Sequence, residues 1–593
     1  MLNPPVPQIA ALGRVVSVRG SQARIGVVAS PEVTPTTLRA TVGQFFGIRS
    51  AKATIVAIIT EMSRENIDMR DNHIAVASVD LLGEISHEGR FQRGVTSYPT
   101  IGDAVDILTT NELRTIYTPT GRDQVNIGAL QQDASIAAYV NIEEMLSKHF
   151  AVLGSTGVGK STSVSLLLNE ILLARPNLRV FLLDVHNEYG RCFGSRALVL
   201  NPRNLKLPFW LFNFEEFVDV LFGGRPGVPE EMEVLSEVIP IAKATYLQYG
   251  NSDRHGGLKR PEPRPTGFTP DTPVPYRLVD LISLIDERMG KLENRSSRIT
   301  YHKLIQRIEV VRNDARYSFM FENANVGGDS MAEVISHLFR LPANGKPMTV
   351  MQLAGFPADV VDSVVSVLCR MAFDFGLWSD GASPLLFVCE EAHRYASADR
   401  TIGFGPTRKA VSRIAKEGRK YGVYLGLITQ RPAELDATIL SQCNTLFAMR
   451  LANERDQALL RSAVSDAAAN LLSFVPSLGT REVLAFGEGV ALPTRLRFKE
   501  VPAHQLPRSE ATIATTPVSD HGHDIHFVSS VVDRWRGSTT HRDAPSDPHV
   551  SDRFAERMGD RPLQRLVDSP MLQPTSPLGL ESDRYSLLKK PLR

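Results

Sequence analysis

The chain has 593 residues, 43% hydrophobic and 22% charged, which excludes a disordered or fibrous protein and leaves room for about two to four globular domains. Lys plus Arg total 66 against 65 Asp plus Glu, a net charge of +1, so any surface for a polyanion must be local. The four cysteines (Cys192, Cys369, Cys389, Cys443) show no paired spacing, which argues against a disulfide framework or a cysteine zinc site and for a reducing cytosol.

The opening "MLNPPVPQIAALGRVV" lacks a basic segment followed by a long apolar run, a poor match to a signal peptide. No stretch is long and apolar enough to span a bilayer, so the expectation is a cytoplasmic protein without membrane contact. Residues 11 to about 120 read as short strands. "RVVSVRGSQARIGVV" is a hairpin around Arg19, Gly20 and Ser21, and "KATIVAIIT", "HIAVASVDLLGEIS" and "DAVDILT" continue the pattern. This spacing predicts a small β-barrel, assigned to residues 1–135. "IAAYVNIEEMLSKH" then reads as a helix.

From residue 149 the pattern becomes α/β: "HFAVL" as a buried strand, Lys160 to Ala174 as a helix, and "LRVFLLDV" as the next strand. The interval of about 204–345 is rich in helical stretches, broken by the Pro- and Gly-laden "HGGLKRPEPRPTGFTPDTPVP", and reads as a helical insertion. Strand and helix then alternate again through "KPMTVMQLAG", a helix over 358–377, "LLFVC" and "VYLGLIT". The expectation is an α/β ATPase domain over 136–505. A Ser-, Pro-, Asp- and Arg-rich arm, extended or partly disordered, follows over 506–593.

"AVLGSTGVGKSTSVSLLL" carries the chemistry of a phosphate-binding loop. Across Gly154, Ser155, Thr156, Gly157, Val158 and Gly159, glycines let backbone N–H groups converge on phosphate oxygens at a helix N-terminus. Lys160 would reach the β- and γ-phosphates, Ser161 would hold Mg²⁺, and Thr162 completes the first turn. Strand "PLLFVCEEAHRY" ends in Glu390 and Glu391, an acid for the Mg²⁺ shell and an acid to orient the attacking water. Asp184 and Glu188 leave the next strand; either Asp184 is a helix cap or both support metal or water. In "PTRKAVSRIAKEGRKYG", Val411, Ile414, Ala415 and Gly418 form a packing stripe. Lys409, Arg413, Lys416 and Lys420 form a basic one, with Arg419 beside its end. The basic stripe reads equally as a solvated face or as a surface that presents Arg419 to a neighbour's γ-phosphate. Gln430, at the tip of "VYLGLITQRP", is placed to sense the γ-phosphate.

Taken together, "KHFAVLGSTGVGKS", "LLDVHNEYG", "EEAHRY", "IAKEGRKYGVYLGLITQRP" and "LSQCNTLFAMRL" resemble the HerA family of hexameric DNA-translocating ATPases, within the RecA-like HerA/FtsK group. "VDLLGE" and "RGVTSYPTIGDAV" resemble that family's N-terminal barrel, and the likeness spans most of residues 10–500. The resemblance implies ATP and Mg²⁺ as cofactors, Glu391 as catalytic carboxylate, Gln430 as sensor, and Arg419 and Lys148 as residues acting in trans. It also implies a homohexameric ring with double-stranded DNA in its pore. Loops between residues 394 and 407 would be candidate pore contacts, and a nuclease or sirtuin-like NAD-consuming effector would dock on the barrel face. The insertion and the tail point to a bacterial anti-phage defence member. Two positions differ from the family's usual pattern: Glu390 stands where Asp is usual, and Lys148 where an Arg is expected, and Lys cannot fork bidentately. The competing expectation is an ATP-binding scaffold that organises a partner enzyme. A membrane-anchored coupling ATPase would need helices absent from this sequence.

Overall fold

The computed structural model describes residues 12–28, 40–64, 73–118, 121, 123–252, 267–291, 295–322, 324, 328–401, 403–464 and 470–508, with five positions between 528 and 536. Apart from those five positions, the expected arm beyond 508 lies outside the described residues, as does part of the Pro-rich loop.

The first seven strands are β1 (Gly13–Arg19), β2 (Gln22–Val28), β3 (Phe45–Arg49), β4 (Ala53–Ser63), β5 (His73–Ser86), β6 (Phe91–Arg93) and β7 (Ala104–Ile107). They order as β2-β1-β7-β3-β4-β5, and β2 pairs again with β5 to close a six-stranded barrel, with β6 hung on β5. Closure demands curvature, and the β4–β5 ladder supplies it with register shifts between Val56 and Ala57 and between Ile59 and Glu61. Val15, Ile25, Phe46, Ile48, Ile55, Ile59, Val79 and Val105 fill its interior. The hairpin expected at Arg19–Ser21 is present as β1–β2.

After α1 (Thr110–Tyr117) the chain enters a second, eleven-stranded sheet. Its first members are β8 (Gln124–Leu130) and β9 (Ala137–Asn141), followed by α2 (Ile142–Leu146), β10 (His149–Leu153), α3 (Lys160–Ala174), β11 (Arg179–Asp184) and β12 (Ala197–Leu200). Among the described residues, α4 (Phe214–Phe222), α5 (Pro229–Ser252), α6 (Leu278–Gly290), α7 (Arg295–Asn313), α8 (Ser318–Phe321) and α9 (Met331–Phe339) intervene before β13 (Met348–Gln352). The remainder is α10 (Val361–Trp378), β14 (Leu385–Cys389), α11 (Gly405–Glu417), β15 (Val423–Thr429), α12 (Ala437–Leu440), β16 (Cys443–Ala448), α13 (Glu454–Ala463), β17 (Glu482–Gly487) and β18 (Thr494–Phe498).

The sheet order is β12-β13-β11-β14-β15-β10-β16-β17-β18-β8-β9. β12 through β16 are parallel, and the β17-β18-β8-β9 wing is antiparallel. β10, β13 and β14 are buried at every position, as a parallel sheet covered on both faces requires, which is why they read as unbroken apolar runs. This is the RecA-like architecture expected from the sequence.

Two readings need correction. Residues 136–149 are not one helix: 137–141 form β9, with Ala138 and Val140 buried and their neighbours half-buried, and only 142–146 are helical. Apolar Ile142, Met145 and Leu146 at helical spacing extended the pattern backwards, while pairing with β8 decides the strand. The sheet also changes membership between β7 and β8, not at 135, because β18 recruits β8. The barrel is joined to the ATPase sheet by Asp80, which accepts from Asn470 Nδ2 at 3.1 Å, and by Arg93 Nη1, which donates to Gly487 O at 3.0 Å. On the insertion side, buried Glu216 of α4 pairs with Arg370 of α10 at 2.8 Å and accepts from Ser366 Oγ at 2.7 Å.

Candidate functional site

Leaving β10, the chain passes through α3 to β11, which lies beyond β15 and β14 in the sheet. The carboxyl ends of β10, β15, β14 and β11 therefore flank a topological switch point, where open α/β sheets hold their ligands. The loop after β10 is fastened by backbone contacts from distant segments. Gly154 N–H donates to Thr429 O at 3.2 Å, Ser155 N and Oγ both to Arg450 O at 3.0 Å, and Arg481 N–H to Val158 O at 2.9 Å. Gly157 and Gly159 take φ of +78° and +93°, a region that side chains disfavour, and a Cβ at 159 would also press on Arg481 Cγ at 3.2 Å. α3 starts at Lys160, whose Nζ folds back to 3.4 Å from Gly154 O. Burial pushes its ammonium pKa down, opposed by the charges of Glu391, Glu390 and Glu188. Ser161 and Thr162 follow, half-buried.

Asp184, fully buried at the end of β11, accepts from Glu188 N and Tyr189 N at 3.0 Å each, so its side chain organises the turn that places Glu188. Burial pushes its carboxyl up to about 6. Glu390 Oε2 accepts from Val185 N at 3.0 Å, and burial, then the Asp184 charge, raises it to about 8. Glu391 is 5% exposed, with φ +50° and ψ +46°, a left-handed conformation for a residue with a Cβ. Its carboxylate lies between two imidazoles: His186 Nε2 is 3.7 Å from Oε1 and His393 Nδ1 is 3.3 Å from Oε2. Glu391 Oε2 is buried and makes no hydrogen bond. His393 Nδ1 is also 3.0 Å from Thr429 Oγ1, the last residue of β15. Gln430, next in sequence, accepts from Thr156 Oγ1 at 2.5 Å. The loop after β10, the acid pair and Gln430 are thus one constellation.

Arg419 and Lys148 are not part of it. Arg419 Nη1 donates to Ser147 O at 3.4 Å, and Lys148 Nζ lies 3.9 Å from Glu488 Oε1. Both sit at the amino end of β10, the length of the strand, about 13 Å, from the phosphate loop. His393, Arg450 and Arg481 were not assigned roles from the sequence. The last two act through their main chains, a contact that leaves no mark on residue type.

The family described as "Helicase HerA, central domain" matches residues 125–372, a span that opens on β8 and includes the phosphate loop. The match is a likeness of this segment to that central domain. A probable helicase of Methanocaldococcus jannaschii is 25% identical over 486 residues, covering 77% of this chain and 86% of that protein. The DNA double-strand break repair helicase HerA of Pyrococcus furiosus is 25% identical over 489 residues, covering 77% and 83%. Among solved structures, VirB4 of Thermoanaerobacter pseudethanolicus aligns with a TM-score of 0.42 at 15% identity, over 65% of this chain and 98% of that one.

The residues of this site fit a nucleoside triphosphate with a divalent cation. Gly157 and Gly159 have the positive φ values that a phosphate-binding loop uses, and Lys160 faces three carboxylates. Among the described residues no group of three or more His, Cys, Asp or Glu is arranged to hold a metal alone. Mg²⁺ does not need one, since it is held through one or two side chains plus substrate phosphates. Ser161, at the start of α3, and Glu390, after β14, are the side chains that would hold it. No described helix is long and apolar enough to cross a membrane.

Proposed function

We propose that this chain is an ATP-driven DNA translocase working as a homohexameric ring, with double-stranded DNA in its pore. One observation carries the reading. Lys160, Glu390, Glu391 and Gln430 gather at the carboxyl end of β10 and its neighbours, while Arg419 and Lys148 gather at the amino end. An arginine that stabilises the leaving γ-phosphate has to come from somewhere, and within one chain this one is a strand-length away. A second copy that offers its Arg419 to this phosphate loop completes the site. ATP is the nucleotide and Mg²⁺ its cation; when bound, the ion neutralises charge on the phosphates. Lys160 binds the phosphates, Glu391 orients the attacking water, and Gln430 reports the γ-phosphate to the loop after β15. The relatives named as helicases support a nucleic-acid track. The barrel, tied to the sheet through Asp80 and Arg93, is the face on which a nuclease or other effector would dock. The test is ATP hydrolysis with and without duplex DNA, together with electron microscopy of the purified chain. Stimulation by DNA and a closed ring support the reading; no stimulation and no ring sink it.

A second reading, an ATP-dependent scaffold for a partner enzyme, is favoured by Glu390, whose longer side chain is already engaged by Val185 N. It predicts that Glu391→Gln leaves the partner's activity intact while disruption of the ring abolishes it.

A further inference from the structure

His149, the first residue of β10, is 2% exposed and uses both ring nitrogens on elements other than its own. Nδ1 accepts the Leu425 N–H of β15 at 2.9 Å, so Nδ1 carries no proton. The proton is on Nε2, which donates to Ala415 O, in the last turn of α11, at 2.9 Å. Ala415 lies four residues before Arg419, and Arg419 in turn reaches Ser147 O, two residues before His149. The end of α11 is therefore fastened to the start of β10 at two points. On the β16 side, Asn444 Nδ2 lies 3.0 Å from Glu144 O, 3.1 Å from Ser147 Oγ and 2.9 Å from Glu488 Oε2, the carboxylate beside Lys148, and so holds the segment that leads into β10. β10 itself is paired along its length with β15 and β16, and its far end runs directly into the phosphate loop. A strand hydrogen-bonded on both sides shifts as a unit.

We propose that His149 is a positioning residue that sets Arg419 for the adjoining subunit's site, by tying the last turn of α11 to the strand that carries its own subunit's phosphate loop. Each subunit's finger is then aimed by the strand that holds its own nucleotide. The inference rests on the trans reading of Arg419 given above, and the two are separable by mixing subunits. A full-length His149→Phe chain keeps ring shape but loses both hydrogen bonds. It should lose about 10²-fold in kcat, the scale of a misplaced catalytic group, while binding a fluorescent ATP analogue normally. Mixed with Lys160→Ala subunits, which cannot hydrolyse but carry an intact finger, it should regain activity above either component alone. Arg419→Ala mixed with Lys160→Ala is the control. If that control regains nothing, the trans reading fails. If it regains activity and the His149→Phe mixture does not, the defect lies in the variant's own site and the role of His149 is overturned. Full activity of His149→Phe alone overturns it as well. Should His149→Phe not fold, the smaller His149→Ala, which also removes both hydrogen bonds, is read by the same mixtures against the same outcomes.

Discussion

Glu391 holds its left-handed backbone without the excuse of being a glycine, and this sets function against stability at one residue. The conformation costs about 1–2 kcal/mol for a residue with a Cβ. Glycine escapes that penalty but gives up about 0.5–1 kcal/mol of extra chain entropy. The fair comparison is Glu391→Gly against Glu391→Ala, because both remove the same buried carboxylate, with its unbonded Oε2, and differ only at the Cβ. Glu391→Gly should be the more stable by about 0.5–1 kcal/mol, a rise of about 1–2 °C in melting temperature for a unit of several hundred residues. Both should lose hydrolysis by about 10²–10⁴-fold, the contribution of a positioned general base. Thermal and urea melts of the nucleotide-free variants, paired with a phosphate-release assay, read both quantities. An alanine variant as stable as the glycine one would refute the strain argument, and hydrolysis retained in either would remove Glu391 from the chemistry.

Gln430→Ala should lower kcat about 10²-fold, as loss of one aligned polar group does, with nucleotide affinity nearly unchanged; equal losses in both would make Gln430 a binding residue. Arg370→Met strands the buried Glu216 carboxylate and should destabilise the chain by about 3–5 kcal/mol, read by urea melts and by proteolysis of the 214–339 helices. Glu216→Gln, which leaves its charge on Arg370, a guanidinium a quarter exposed and 3.9 Å from Asp374, should be milder. Asp184 and Glu390 bind protons more tightly folded than unfolded, at about 6 and about 8, so the stability they contribute is full at acid pH and lost as pH rises through that window. The nucleotide-free melting temperature should fall from about pH 4, where the unfolded carboxylates ionise, to about pH 8, and magnesium nucleotide, which favours the ionised acids, should flatten the slope; a slope of opposite sign refutes the assignment.

The parallel strands were legible because burial on both faces leaves a run such as "HFAVL" or "LLFVC" with no other reading. The phosphate loop and the acid pair were legible because their chemistry fixes residue type as well as spacing. β8 and β9 were not: a half-buried edge hairpin alternates weakly, and its partner, β18, lies more than 350 residues away. The role of Asp184 stood open between cap and metal support until the Glu188 and Tyr189 N–H groups were seen on its two oxygens. His149 gave no signal at all, since one buried histidine reads like any other core residue.

The antiparallel wing of the sheet draws on both ends of the ATPase segment, and this limits how the protein can be dissected. A fragment begun at residue 136 would remove β8 and strip Leu496, Arg497 and Phe498 of their partners Leu130, Ala129 and Gly128. The bared row of N–H and C=O groups, flanked by the apolar Leu496 and Phe498, is the kind of open edge that captures other chains. Insolubility of such a truncation would say nothing about whether the motor can work without its barrel; a cut between Tyr117 and Gln124 is the one that asks that question.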